Sequence, residues 1–366
     1  MANQIPWFGP VLSAAESQAV AEVIATGYLN DGTTARRLES EVAVFLGASH
    51  AVAVTSGTIA LSLALMGLGI GGGCEVIVPD LTFIATANAI RLAGAEVRLV
   101  DVEPDRFTID VAAAAAAIGP RTAAIIAVDV NGRAADYRAL EELAARHGLA
   151  LICDAAEALG SRFAGQYLGT FGHAGCFSFS ANKTVTSGQG GLVATNDARL
   201  RDRLRELKDQ GRLTGGTGGD DRHPVLGYNF KYTNLQAAVA LVQFARLPER
   251  LTSLRERDAL YRQHLAQVPA IQLPPDGSNT GEVCQWMDIL SDRRTEIQKA
   301  LSEIGAGWRA FWHPVHRHPP YASAGGDEEF PNATDISRRG LWLPSHLEIT
   351  PDQIASVCEA VIRAVK

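Results

Sequence analysis

The sequence predicts an α/β fold: a mainly parallel sheet flanked by helices, followed by a smaller C-terminal α/β domain. Short apolar runs alternate with helical patterns through the first half of the chain, and several runs are continuous Val, Ile, Leu and Ala. Such runs suit strands covered on both faces. Several of the helical patterns end in glycine, which stops a helix in the left-handed conformation. Parallel neighbours need a crossover, so strand, helix and strand repeated this often imply a parallel sheet.

In chain order the predicted strands are "HAVAVTS", "CEVIVPD", "AEVRLVDV", "TAAIIAVDV", "LALICDA", "GCFSFS" and "GLVATND". Between them "TIALSLALMGLG", "TANAIRLAG" and "YRALEELAARHG" read as helices closed by Gly69, Gly94 and Gly148. The alanine run at 112–117 is low in complexity and reads as a helix interior. After "YTNLQAAVALVQFARL", Pro248 opens the charged helix "ERLTSLRERDALYRQHLAQ". That change divides the chain into a large domain, residues 1–247, and a small one, 248–366, with "LPPDGSNTGE" as a loop of the latter.

Composition excludes several classes. The 366 residues are 47% hydrophobic and 20% charged, enough for a large core. A net charge of −7 gives no global attraction to nucleic acid or to an anionic membrane. No apolar run reaches membrane-span length, and "MANQIPWFGP" lacks the charged and apolar regions of a signal peptide, so a cytoplasmic protein is expected. Cys74, Cys153, Cys176, Cys284 and Cys358 are odd in number and form no CxxC pair, so neither a disulfide framework nor a zinc site is signalled.

Ligands of open α/β sheets collect at the carboxyl ends of the strands, so the polar residues that end the apolar runs are the candidates. Ser56, Gly57 and Thr58 fall between a strand and a helix, either as an ordinary turn and cap or as an anion site on free N–H groups. Asp154 ends "LALICD" with Glu157 just beyond; it is either a helix cap or a carboxylate that meets a cation. Phe83 in "PDLTFIATANA" is either core or a flat platform for a ring. Lys183 follows "CFSFSAN", 29 residues after Asp154, a distance that lets a neighbouring strand return it to the same sheet edge. One cofactor would use all four features. Pyridoxal 5'-phosphate needs an amine for its aldehyde, an acid for its ring nitrogen, a helix N-terminus for its phosphate and surfaces for its ring.

The chain also resembles the DegT-type sugar aminotransferases, which share the aspartate aminotransferase (type I) fold with its seven-stranded sheet. The resemblance runs through "YLNDGTTARRLESEVAVFLGASHAVAVTSGTIALSLAL", "CEVIVPDLTFIATANAI", "DAAEALGSRFAGQYLGTFGHAGCFSFSANKTVTSGQGG", "GYNFKYTNLQAAVALVQFARL" and "FWHPVHRHPPY". It implies that Lys183 forms the internal imine, acting as anchor and general base, and that Asp154 pairs with the pyridine nitrogen. It further implies that Phe83 stacks on one ring face and Ala156 supports the other. Gly57, Thr58 and Ser178 would hold the phosphate, and Glu157 would sit near the phenolic oxygen. By the same resemblance Asn229 reaches the phosphate of the neighbouring subunit's cofactor, which implies a homodimer with shared active sites. L-glutamate is the implied amino donor and a nucleotide-linked keto sugar the acceptor. Within the family, "DAAEALG", "FSFSANK" and "HPVHRHPPY" look most like members that aminate C4 of a GDP-linked 4-keto-6-deoxyhexose. Arg309, His313, His316 and Tyr321 are the candidates for the sugar-nucleotide site.

Several positions depart from the family pattern. Asp129 and Asn131 stand in "VDVNG" where relatives commonly read "VHLYG", Gln189 stands in "SGQGG" for a Glu, and Lys231 in "YNFK" for an Arg. These leave the cofactor residues intact and bear on substrate choice. Amination at C3 of a dTDP- or UDP-linked keto sugar, or of a keto-cyclitol, is the alternative, and a cofactor-binding regulator without turnover is the second. Dehydrating relatives typically carry His at the lysine position; this chain has Lys183.

Overall fold

The computed structural model describes residues 5–212 and 221–366; the first four residues of the N-terminal stretch read above lie outside them. The large part carries nine strands: β1 His50–Val54, β2 Glu75–Pro79, β3 Glu96–Val100, β4 Thr122–Val128, β5 Ala150–Asp154, β6 Arg162–Phe163, β7 Gln166–Tyr167, β8 Ala174–Ser178 and β9 Gly191–Thr195. Seven of them form one sheet in the order β1-β9-β8-β5-β4-β2-β3, while β6 and β7 make a separate two-stranded hairpin. Pairing is parallel from β3 through β2, β4 and β5 to β8. Only β9 runs against its neighbours, antiparallel to both β8 and β1.

The apolar runs alternate sides because successive strand residues point to opposite faces. Ala51, Ala53, Ile125, Ala127, Leu151 and Cys153 join one core cluster; Val52, Val54, Ala124, Ile126, Val128 and Ile152 join the other. Fully burying a Val or Ile side chain contributes about 1.5–3 kcal/mol, so a register slip of one residue gains nothing here, both faces being covered by helices. What sets the pairing is the order of crossovers, through helices such as Gly57–Gly67, Ala85–Leu92 and Tyr137–His147.

The C-terminal part adds β10 Met287–Leu290, β11 Arg309–Ala310 and β12 Gly340–Leu343 in an antiparallel sheet ordered β10-β12-β11. Helices Leu247–Leu265, Arg294–Glu303 and Pro351–Val365 accompany it. A third core cluster, with Tyr261, Leu265, Ile289, Leu301, Leu343, Val357 and Val361, belongs to this part. The opposite face of the small sheet, through Trp286, Leu290 and Trp342, merges with the second cluster of the large sheet. Among the described residues no helix is long and apolar enough to cross a membrane, and all five cysteines are free.

Candidate active site

The carboxyl ends of β1, β2, β4, β5 and β8 open onto one cavity of about 260 Å3. After β1, Ser56 caps the helix Gly57–Gly67 by accepting from Ile59 N at 3.2 Å. The first turn of that helix therefore presents the Gly57 and Thr58 N–H groups, with the positive end of the helix dipole, to the cavity. Gly57 is required by a close approach: a Cβ there would lie 2.9 Å from Ser178 Cβ at the end of β8. Ser178 itself lines the cavity and accepts from Ser180 N at 3.3 Å.

Asp154, the last residue of β5, is buried. Its Oδ2 accepts from Thr86 Oγ1 at 2.7 Å and its Oδ1 from Ala156 N at 3.2 Å. Burial outweighs these bonds and lifts the carboxyl to about 6. Glu157 Oε1 accepts from Lys183 Nζ at 3.1 Å, and the amine also lies 5.2 Å from the Trp286 ring centroid. Thr82 Oγ1 meets Thr86 Oγ1 at 2.9 Å, so a hydroxyl pair backs the Asp154 carboxylate.

Most of the residues anticipated from sequence meet at this cavity: Gly57, Thr58, Phe83, Asp154, Ala156, Glu157, Ser178, Lys183 and Arg309. Phe83 is half exposed and has its ring 6.4 Å from that of Trp312. Asn229 lies outside the cavity and is exposed, bridged to Asp209. Lys231 faces a second, highly charged cavity and donates to Asp209 Oδ1 at 2.7 Å.

Of the four C-terminal candidates for the sugar site, only Arg309 reaches the cavity. His316 is a buried clasp instead, its Nδ1 2.7 Å from Asp80 Oδ2 and its Nε2 2.8 Å from Asp327 Oδ1. Asp80 follows β2 and is fully buried, so it needs a partner and takes this one. Tyr321 is buried and donates to Asn88 Oδ1 at 2.6 Å. His313 is exposed, edge-on to His318. Trp286, Trp312 and Thr86, which the sequence reading did not single out, do line the cavity. Their only local signal was a polar Thr on the apolar face of "TANAI".

The departures are accommodated differently. Asp129 lines the cavity, and both of its oxygens lie 2.8 Å from the Tyr137 hydroxyl; burial pushes its carboxyl well up. Gln189 is exposed at the cavity rim. Asn131 is buried beneath the cavity wall with a left-handed backbone, φ 55°.

The donor set fits pyridoxal phosphate. The glycine-shaped helix N-terminus suits a phosphate, the buried carboxylate a cationic ring nitrogen, and the lysine amine an aldehyde, all around one cavity. This fold with such a cavity defines the class of protein: an aminotransferase that works with pyridoxal 5'-phosphate. The chain belongs to the DegT/DnrJ/EryC1/StrS aminotransferase family, which matches residues 10–362. It is 37% identical over 362 residues to GDP-perosamine synthase of Caulobacter vibrioides, covering 96% of each protein. It is 34% identical over 363 residues to GDP-perosamine synthase of Vibrio cholerae, covering 98% of each. Its structure is similar to that of DesV from S. venezuelae, with a TM-score of 0.92 at 35% identity over 96% of this chain and 95% of that one.

Proposed function

We propose that this protein is a sugar aminotransferase that moves the amino group of L-glutamate to C4 of a GDP-linked 4-keto-6-deoxyhexose. The observation that carries the reading is the meeting of Lys183, Asp154 and the Gly57–Thr58 helix N-terminus at one cavity, in a chain whose relatives include GDP-perosamine synthases. Bound pyridoxal phosphate supplies an aldehyde for amine exchange and a protonated ring that withdraws electrons from the carbon losing its hydrogen.

In this reading Gly57, Thr58 and Ser178 hold the phosphate, and Asp154 holds the ring nitrogen with a carboxylate kept in place by Thr86 and the Ala156 N–H. Phe83 and Ala156 flank the ring. Lys183 would anchor the cofactor through its amine, and as a free amine would be the base that moves a proton at the substrate carbon. Glu157, which accepts from Lys183, keeps that amine directed into the cavity. Arg309 offers a guanidinium to a substrate anion. The working unit is a homodimer in the cytoplasm, and the exposed Asn229 completes the neighbouring subunit's phosphate site. A large domain, residues 1–247, carries the cofactor, and a small domain, 248–366, closes the substrate side.

The test is a screen of GDP-, dTDP- and UDP-linked keto sugars with glutamate as donor, with the new nitrogen located by NMR of the product. Nitrogen at C4 of the GDP sugar is the expected result. Nitrogen only at C3, or only on a sugar without a nucleotide, would overturn the substrate assignment.

A further inference from the structure

Among the described residues two groups stand at the Lys183 amine: Glu157 Oε1 at 3.1 Å and the ring of Trp286, its centroid at 5.2 Å. They come from different parts of the chain, Glu157 from the loop after β5 and Trp286 from the segment entering β10. Asn131, in the loop after β4, binds both. Its backbone N–H donates to Glu157 Oε2 at 3.0 Å. Its side-chain amide grips the Trp286 backbone twice, Nδ2 donating to the carbonyl oxygen and Oδ1 accepting from N, each at 2.7 Å. Nδ2 also donates to Asp288 Oδ2 at 2.7 Å.

We propose that Asn131 is a positioning residue for the reaction: with one arm on Trp286 and the other on Glu157, it fixes both groups that direct the Lys183 amine. The inference rests on the reading of Lys183 as the reacting amine. A lysine has a long flexible stem and cannot aim itself; its rotamer freedom must be restricted by what surrounds its tip. A small misplacement of a proton-moving group is expensive in rate. Asn131 suits the task because asparagine tolerates the left-handed backbone found here, and its short amide offers a donor and an acceptor at once. The seam is also held by the Arg133–Asp288 ion pair, which shares Asp288 Oδ2 with the Asn131 amide but does not depend on it, and by Ala134 N donating to Glu282 Oε1 at 2.9 Å, so loss of the amide need not unfold it.

Asn131→Gly separates the arms: it keeps the left-handed turn and the N–H to Glu157 but releases Trp286. Asn131→Ala strains the turn as well. Two readouts apply. In the cofactor-free protein, acetic anhydride labelling of Lys183, followed by peptide mass spectrometry, should speed up several-fold in Asn131→Gly and further in Asn131→Ala, since the amine loses its cover. In the loaded enzyme, kcat per bound cofactor should fall roughly tenfold in Asn131→Gly with the KM for glutamate nearly unchanged. In a Trp286→Leu background Asn131→Gly should change neither readout further.

Unchanged labelling and kcat, or a loss that persists undiminished in the Trp286→Leu background, would overturn the proposal. So would a loss confined to cofactor occupancy with kcat per bound cofactor intact. Borohydride trapping of the wild-type holoenzyme is the separate control. A label on a lysine other than Lys183 removes the reading on which the proposal rests, whatever the Asn131 variants do.

Discussion

Replacing Asp154 by Asn is expected to make the cofactor-free protein more stable and the enzyme inactive. Burial raises the Asp154 carboxyl from 3.8 to about 6, despite its bonds to Thr86 and the Ala156 N–H. At about 1.4 kcal/mol per tenfold change in proton affinity, an ionised Asp154 costs the folded apoprotein about 3 kcal/mol at neutral pH. The group binds its proton more tightly folded than unfolded, so stability is highest below the ordinary carboxylate range and falls as pH rises through about 6. Asparagine fits the same place: Oδ1 still accepts from Ala156 N, and its amide can donate to Thr86 Oγ1, which turns its own proton toward Thr82 Oγ1. Urea unfolding of both apoproteins across pH should show little difference near pH 4 and an Asn advantage approaching ~3 kcal/mol at pH 7. On the proposed role of Asp154, the same substitution leaves the ring nitrogen without an anionic partner, and transamination should drop on the order of a thousandfold. An Asn variant no more stable than wild type at pH 7, or one that keeps its turnover, would refute the reasoning.

Thr86→Val removes the hydroxyl that donates to Asp154 Oδ2 and leaves a buried carboxylate short of a bond; cofactor retention should weaken by roughly tenfold, measured by equilibrium dialysis. Mixing Lys183→Ala with Asn229→Asp subunits should recover activity after proven subunit exchange, because one site of each heterodimer receives both intact residues; no recovery would count against a shared site. Asn229→Asp is chosen because it sets a negative charge against phosphate.

All seven strands of the main sheet were legible as short apolar runs: the inner strands are covered on both faces and carry few polar interruptions, and the edge strand β3 was legible despite Glu96 and Arg98. The helix ends were legible too: Gly69, Gly94 and Gly148 all have positive φ. Asp154 and Ser178 could be read as cavity residues because each ends a strand, and Gly57 and Thr58 because they open a helix, where the fold itself directs polar groups to one edge; Phe83, Glu157 and Lys183 lie in the loops just beyond. The opposite wall was not legible. Trp286 reaches the cavity through bonds to Asn131, 155 positions away, and nothing local marks that pairing. His316 read as a pocket residue because histidine at a predicted site suggests function; its actual partner, Asp80, is fixed by tertiary packing after β2. The strands β10, β11 and β12 are two to four residues long, too short for a period to show.

The place of β1 at the rim of the sheet governs the order in which the molecule can be assembled. Among the described residues its one partner strand is β9, with His50 opposite Thr195 and Val54 opposite Gly191, and Val54 also bridges Lys231. During synthesis, β1 and the helix that follows it must wait without that partner until the chain has been made through Thr195. The turn around Ser56 and Gly57 packs against Gly191 and Ser178, so the anion cradle closes only when this long-range pairing forms. A nascent chain released before β9 would carry Asp154 and Lys183 with no complete cradle between them. Capture of the cofactor thus becomes a late checkpoint of folding, and its colour a report that the first and last strands of the sheet have found each other.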